Sequence, residues 1–208
     1  ASCKITITKS IITRNRANTS SGGGIYSTNG NVTISNSNVC ENFTKTRGGA
    51  INSSDRTLHI YTSIIGNNTA IGAGAGIYTI SETVIHNSLI RNNSAQLYEG
   101  GGVYSTGNTL SLTNSIIANN VCRRDGGGGL FCNNTSVKIT NCTFNTNRST
   151  AWGGALSSKS CTISCSNSIF WGNSTQTGNP RNYEFVDHAS TSVKTFKNNL
   201  LQLSSSSY

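Results

Sequence analysis

The stretch Phe144–Leu156, FNTNRSTAWGGAL, joins two short motifs: an apolar residue, two variable positions and Asn, followed by Gly-Gly-small-aliphatic. Both recur along the chain in fixed register. The glycine block occurs six times, with its aliphatic residue at Ile25, Ile51, Ile77, Val103, Leu130 and Leu156, in steps of 26, 26, 26, 27 and 26 residues. The companion motif occurs seven times. Its apolar column is Ile12, Val39, Ile65, Ile90, Ile117, Phe144 and Phe170, and its Asn column is Asn15, Asn42, Asn68, Asn93, Asn120, Asn147 and Asn173. Just upstream lie two more columns that alternate with polar residues, as a half-buried strand requires. One is Ile5, Val32, Leu58, Thr83, Leu110, Val137 and Ile163; the other is Ile7, Ile34, Ile60, Ile85, Leu112, Ile139 and Cys165.

Each repeat thus offers three short strand-like pieces of about 4 to 6 residues, separated by Gly, Asn and Ser turns. Strict self-similarity at this period is the signature of a solenoid. Three strands every 26 residues predict one coil of a parallel β-helix, and the chain length predicts seven to eight coils. Coils in such a stack lie about 4.8 Å apart, so like residues stand on like residues. The aliphatic columns then form a core that each coil completes only with its neighbours. The Asn column is expected to occupy a left-handed turn conformation and to bond along the axis, since an amide both donates and accepts. The glycine pairs allow tight turns and close backbone approach.

Composition fits this reading. Gly (22), Asn (28), Ser (31) and Thr (26) make up 107 of 208 residues, a mixture that neither fills a wide core nor favours helix. A helical bundle is excluded. No apolar run approaches the roughly 20 residues of a membrane-spanning helix, so membrane insertion by this segment is not expected, and no signal-peptide pattern is present. The chain reads as a piece of something longer. Residues 1–175 carry the repeats. In 176–208 the spacing breaks, which predicts an irregular terminal coil, a cap, or the start of a following segment, with Ser192–Leu201 as an eighth coil.

The blocks GGAI (Gly48–Ile51) and GGAL (Gly153–Leu156), with FNTN (Phe144–Asn147) and FWGN (Phe170–Asn173), resemble the GGA(I/L/V) and FxxN repeats of the chlamydial polymorphic membrane proteins. The resemblance covers roughly residues 4–175, although four of the six blocks read GGGI, GAGI, GGGV or GGGL. It implies a right-handed parallel β-helix in a secreted, surface-exposed protein, acting as a passenger or stalk and often as an adhesin. An extracellular or cell-surface location follows from the same resemblance.

Chemistry is sparse. Parallel β-helices also host polysaccharide lyases and hydrolases, which need clustered carboxylates. Only seven acidic residues are present. Glu99 and Asp125, each just ahead of a glycine block on adjacent coils, are the nearest to a pair; Glu41 falls above Arg14 and predicts a surface ion pair. His59, His86 and His188 do not converge with cysteines as a zinc site demands. No cofactor, metal or enzymatic activity is therefore expected. Of seven cysteines, Cys132 and Cys161 fall near each other three residues out of register and are the candidate disulfide, while Cys142 takes a Ser column and Cys165 an Ile column. If the host glycosylates asparagine, Asn18, Asn52 and Asn133 are the expected sites, because sequons within the Asn column would break the stack.

One column points to binding. After the aliphatic of each glycine block come Tyr26, Asn52, Tyr78, Tyr104, Phe131 and Ser157. Tyr78, Tyr104 and Phe131 form an outward aromatic stripe that either stabilises the stack or seats sugar rings or a protein partner. The 16 Lys and Arg residues give a net charge of +9 but form no dense run and no nucleic-acid motif. Host-cell or cell-wall glycans and surface proteins are the expected partners, with nucleic acid excluded. Open coil ends also predict head-to-tail self-assembly into a filament. The leading expectation is thus a non-catalytic surface stalk, adhesin or filament unit, with a carbohydrate-binding module as the first alternative and a polysaccharide lyase or hydrolase as the second.

Overall fold

β-Branched residues at alternate positions favour extended backbone. The computed structural model of the chain describes residues 3–54, 56–176, 185–187 and 193–201, and every regular element in them is a strand. One middle coil shows the plan: Thr57–Tyr61, Ile64–Gly66, Thr69–Ala70 and Ile77–Thr79. Each strand pairs in parallel with its equivalents one coil before and one coil after. The result is four parallel sheets, two of eight strands and two of seven, denoted faces A to D in chain order. The three strand pieces expected per coil are present on faces A, B and D. Face C is a correction to that count, a fourth strand of only two residues in each coil, too short for alternation to reveal it.

Register is one to one. Val32 lies opposite Leu58, Leu58 opposite Thr83, Thr83 opposite Leu110, Leu110 opposite Val137 and Val137 opposite Ile163. Leu58, Ile60, Ile65 and Ile77 of a single coil are all fully buried. At about 1.5–3 kcal/mol for each fully buried aliphatic side chain, four per coil is the main favourable contribution to the stack. Phe144 and Phe170 continue the face B column with rings 4.8 Å apart and nearly parallel. The second inward column of face D, two residues after its aliphatic column, is mostly polar: Ser27, Ser53, Thr79, Ser105 and Ser158 are buried, with Cys132 between the last two.

Asn42, Asn68, Asn93, Asn120, Asn147 and Asn173 form a buried ladder at the corner between faces B and C. In Asn93 the amide nitrogen donates to Asn120 Oδ1 (2.9 Å) and to the Ile65 carbonyl (3.0 Å). Its Oδ1 accepts from the backbone N–H and the Nδ2 of Asn68 (3.0 and 2.9 Å). All four hydrogen-bonding positions of a buried amide are thus filled. Asn15, in the first coil, donates to Asn42 Oδ1 at 3.0 Å but is itself exposed. The bonding along the axis is as expected, but the left-handed turn is not made by these residues. It falls one position earlier, on Arg14, Glu41, Asn67, Asn92, Asn119, Thr146 and Gly172. The ladder amide must point inward, so the corner turns on its neighbour. Side chains in that outer column stack too: Arg14 Nε and Glu41 Oε2 pair at 2.8 Å on the surface.

The corner between faces A and B carries a second ladder. Each backbone N–H of Ser10, Ser37, Ser63 and Ser88 donates to the serine hydroxyl of the next coil. Cys142 occupies this column, its thiol donating to the Thr140 carbonyl as the serine hydroxyls do to theirs. In the last coil Asn199 takes the position, accepting from the Ser168 N–H at 2.8 Å. Val193–Lys197 and Leu200–Leu201 continue faces A and B, and Phe185–Asp187 continues face D. Asp55, Pro180, Tyr183, Glu184 and His188 lie outside the described residues.

Cys122, Cys132, Cys142, Cys161 and Cys165 are buried, Cys40 is half-buried and Cys3 is exposed. Cys132, the expected partner of Cys161, lies opposite Ser158, and the two thiols donate to the carbonyls of Ser157 and Lys159. Burial, the largest cause in each case, pushes the Cys122 and Cys165 thiols up to about 11. The folded state therefore holds protons that the unfolded chain releases near pH 9, and this contribution disappears as pH rises from about 9 through about 11. For Cys122 alone the loss by pH 10.5 is about 2 kcal/mol. Urea midpoints measured from pH 8 to 10.5 should fall, and Cys122→Ser should flatten the fall. At pH 8 a thiol reagent should modify exposed Cys3 first and reach Cys122, Cys142 and Cys165 only on unfolding.

Candidate binding groove

The column after each glycine-block aliphatic stacks in register along face D as Tyr26, Asn52, Tyr78, Tyr104, Phe131 and Ser157. Tyr78 and Tyr104 stack with ring centroids 4.9 Å apart and planes 14° apart; Tyr104 and Phe131 follow at 5.1 Å and 25°. The rings are one coil apart, so each turns its faces along the axis toward the next ring. Both faces of Tyr104 are covered in this way. The lower face of Tyr78 is covered by Arg47, whose guanidinium carbon lies 5.1 Å from the ring centroid and whose Nη1 donates to the Tyr78 hydroxyl at 3.3 Å. The stripe therefore presents ring edges and hydroxyls, and a sugar cannot stack flat along it. Phe131, expected to point outward, is buried at 6% exposure.

A wall of turn residues runs beside the stripe, one per coil, just ahead of the glycine whose φ is positive. Backbone hydrogen bonds fix its register: Gly22 N–H to the Arg47 carbonyl, Gly48 to Ala73, Gly74 to Glu99, Gly100 to Gly126 and Gly127 to Trp152. Large and small residues alternate in this wall as Arg47, Ala73, Glu99, Gly126 and Trp152. The small ones leave gaps. At Ala73 a cleft of about 340 Å³ opens between Lys45–Arg47 and Tyr98–Glu99, over the edges of Tyr78 and Tyr104. At Gly126 a second, of about 330 Å³, opens between Glu99 and Trp152 over Phe131, with Asp125, Ser157 and Lys159 at its sides. Trp152 and Tyr98 are 44% and 55% exposed.

The electrostatics are mixed. Glu99 borders both clefts and Asp125 the second, while Arg47 and Lys45 stand at one end and Lys159 at the other. Burial, then the neighbouring Tyr78 hydroxyl and the Glu99 carboxylate, pushes the Tyr104 hydroxyl up to about 12, against Arg47 and a hydrogen bond with Asn133. Tyr104 thus stays a neutral donor and acceptor at physiological pH.

The structure brings Glu99 and Asp125 to one cleft, where both also act on the buried Cys122 thiol. His59 and His86 lie on the outer side of face A, each edge-on to Tyr61 at 5.8 and 6.4 Å. Of the expected glycosylation sites, Asn18 is exposed and accepts from Arg16 Nε at 2.8 Å. Asn52 is a correction: it is buried at 4% exposure between Tyr26 and Tyr78 in its column, which closes it to a glycan. Asn133 is half-buried and engaged by Tyr104. Sequence reasoning missed Arg47, Tyr98, Trp152 and Lys159. For Arg47 and Trp152 the signal was the position ahead of each glycine block, where residue size alternates; Tyr98 and Lys159 lie outside that column and carried no such signal.

Residues 141–159 match the Chlamydia polymorphic membrane protein repeat. This segment spans the FNTN and GGAL motifs and includes Trp152, Ser157 and Lys159 of the second cleft. No curated protein and no solved structure gives a significant match to the chain.

Proposed function

We propose that this chain is a non-catalytic β-helical segment of a cell-surface or outer-membrane-associated protein, a rigid stalk that presents an adhesive face. The observation that carries this reading is the repeat match at residues 141–159, because the matched coil is built like the others: the same Asn ladder, the same glycine corner and the same core columns. A solenoid of this kind is suited to spacing because each coil adds a fixed rise of about 4.8 Å. Antibodies raised against the chain should label intact cells of the source organism, and brief external protease treatment should remove the label. Labelling only after permeabilisation would overturn the surface assignment.

The competing reading, polysaccharide cleavage, has one observation in its favour, the shared cleft of Glu99 and Asp125. We expect no release of new reducing ends from a panel of neutral and acidic polysaccharides. Turnover that disappears in both Glu99→Gln and Asp125→Asn would establish an enzyme instead.

A further inference from the structure

We propose that the clefts at Ala73 and Gly126 are two subsites for one linear, neutral oligosaccharide that lies along the solenoid axis and crosses Glu99. The proposal deepens the adhesive reading by giving its ligand a chemical class. Ala73 and Gly126 occupy the same corner two coils apart, a separation of about 10 Å. That is close to the length of a disaccharide unit in an extended polysaccharide. A polymer repeating at that length meets the same corner twice. Each cleft, at about 340 and 330 Å³, lies near the lower end of small-ligand sites and suits one or two sugar rings.

The groups around the clefts favour hydroxyls over other ligands. Arg47 and Lys159 donate at the two outer ends, and Glu99 accepts between them. Alternating signs give a polyanion or a polycation as much repulsion as attraction, whereas a hydroxyl both donates and accepts and can satisfy each in turn. The apolar surface suits a sugar's C–H face without demanding flat stacking: ring edges of Tyr78 and Tyr104 below one cleft, Phe131 and half-exposed Trp152 around the other. An extended peptide is disfavoured for a separate reason. The strands of face D beneath the groove are paired on both sides, so no strand edge is open for main-chain addition. The ladder beneath is stacked and paired before any ligand arrives, so little ordering is required on binding.

Calorimetric titration with β-1,4-linked glucose and β-1,4-linked N-acetylglucosamine oligosaccharides tests this. At least one neutral tetrasaccharide should bind, about tenfold more tightly than its disaccharide because it spans both clefts. Glu99→Gln should weaken tetrasaccharide binding about tenfold, since it removes a charged acceptor shared by both subsites. Ala73→Tyr should fill the first cleft and reduce the tetrasaccharide to disaccharide affinity; if it fails to fold, Lys45→Ala with Arg47→Ala weakens the same end. Binding with no length dependence, tighter binding of a uronic-acid tetrasaccharide, or no binding of either neutral series would overturn the proposal. The surface assignment would survive those results, because cell labelling reports on it independently.

Discussion

Replacing Asn93 with alanine is expected to cost roughly 3–5 kcal/mol, a large loss for one substitution. The side chain is fully buried and sits mid-ladder. Its removal leaves the backbone N–H of Asn68 and one hydrogen of the Asn68 amide without an acceptor, and deprives the Ile65 carbonyl of a donor. Each buried group left unmade costs about 1–3 kcal/mol, and the space vacated is hemmed by backbone, so relaxation recovers little. Asn93→Asp should be worse, because it replaces the donating NH2 with a charged acceptor facing Asn120 Oδ1. Asn15→Ala is the internal control. Asn15 is exposed and nothing in the described residues donates to its amide oxygen from a coil before it, so its loss should stay below about 1 kcal/mol. Urea denaturation of the three variants checks the ordering, and equal effects at Asn93 and Asn15 would contradict the ladder's role.

Gly100→Ala and Gly107→Ala should differ sharply although both glycines have positive φ, +75° and +76°. A Cβ on Gly100 would stand 2.6 Å from the Val103 carbonyl oxygen and 2.9 Å from Tyr104 Cβ, whereas one on Gly107 meets nothing within 4 Å. Gly107→Ala therefore carries only the left-handed penalty of about 1–2 kcal/mol, and Gly107→Asn less. Asn29, Asn134 and Ser160 already adopt positive φ at that corner. Gly100→Ala adds a backbone overlap to the same penalty, for a total of about 3 kcal/mol or more, and should also disturb the Tyr78–Tyr104 stack beside it. Thermal melts and near-ultraviolet circular dichroism report the two effects. The contrast explains why this corner holds glycine in all six blocks while the other left-handed corners accept Arg, Glu, Thr and Asn.

The columns were legible in the sequence because parallel stacking turns periodicity along the chain into contact across it. Val32, Leu58 and Leu110 could be placed opposite their partners, and Arg14 against Glu41, by counting repeats. What could not be read shares one cause, dependence on direction or on a neighbour's size. Face C is two residues long and shows no alternation. The Asn ladder was placed in register, but which of two adjacent residues makes the left-handed turn depends on which side chain must face inward. Asn52 reads as exposed by strand parity and is buried because Tyr26 and Tyr78 flank it. The clefts exist because Ala73 and Gly126 are small in a wall of larger residues, and a missing side chain marks a site only once its neighbours are known. Tyr78, Tyr104 and Phe131 stack in register as the column implies, but their rings face one another and Phe131 is buried, which moves the proposed binding from the stripe to the gaps beside it.

The ladder, the core columns and the groove all depend on one-to-one stacking of the repeats, which a distance measured across several coils reports. Thr33, His59, Val84, Ser111, Lys138 and Ser164 lie in one outward column of face A. Spin labels at Thr33 and Ser164, five coils apart, should be separated by about 24 Å, and moving the second label to Lys138 should shorten the distance by about 5 Å. A separation that does not shorten by one coil's rise when the label moves back by one repeat would contradict the stack, and with it the ladder, the groove and the two subsites.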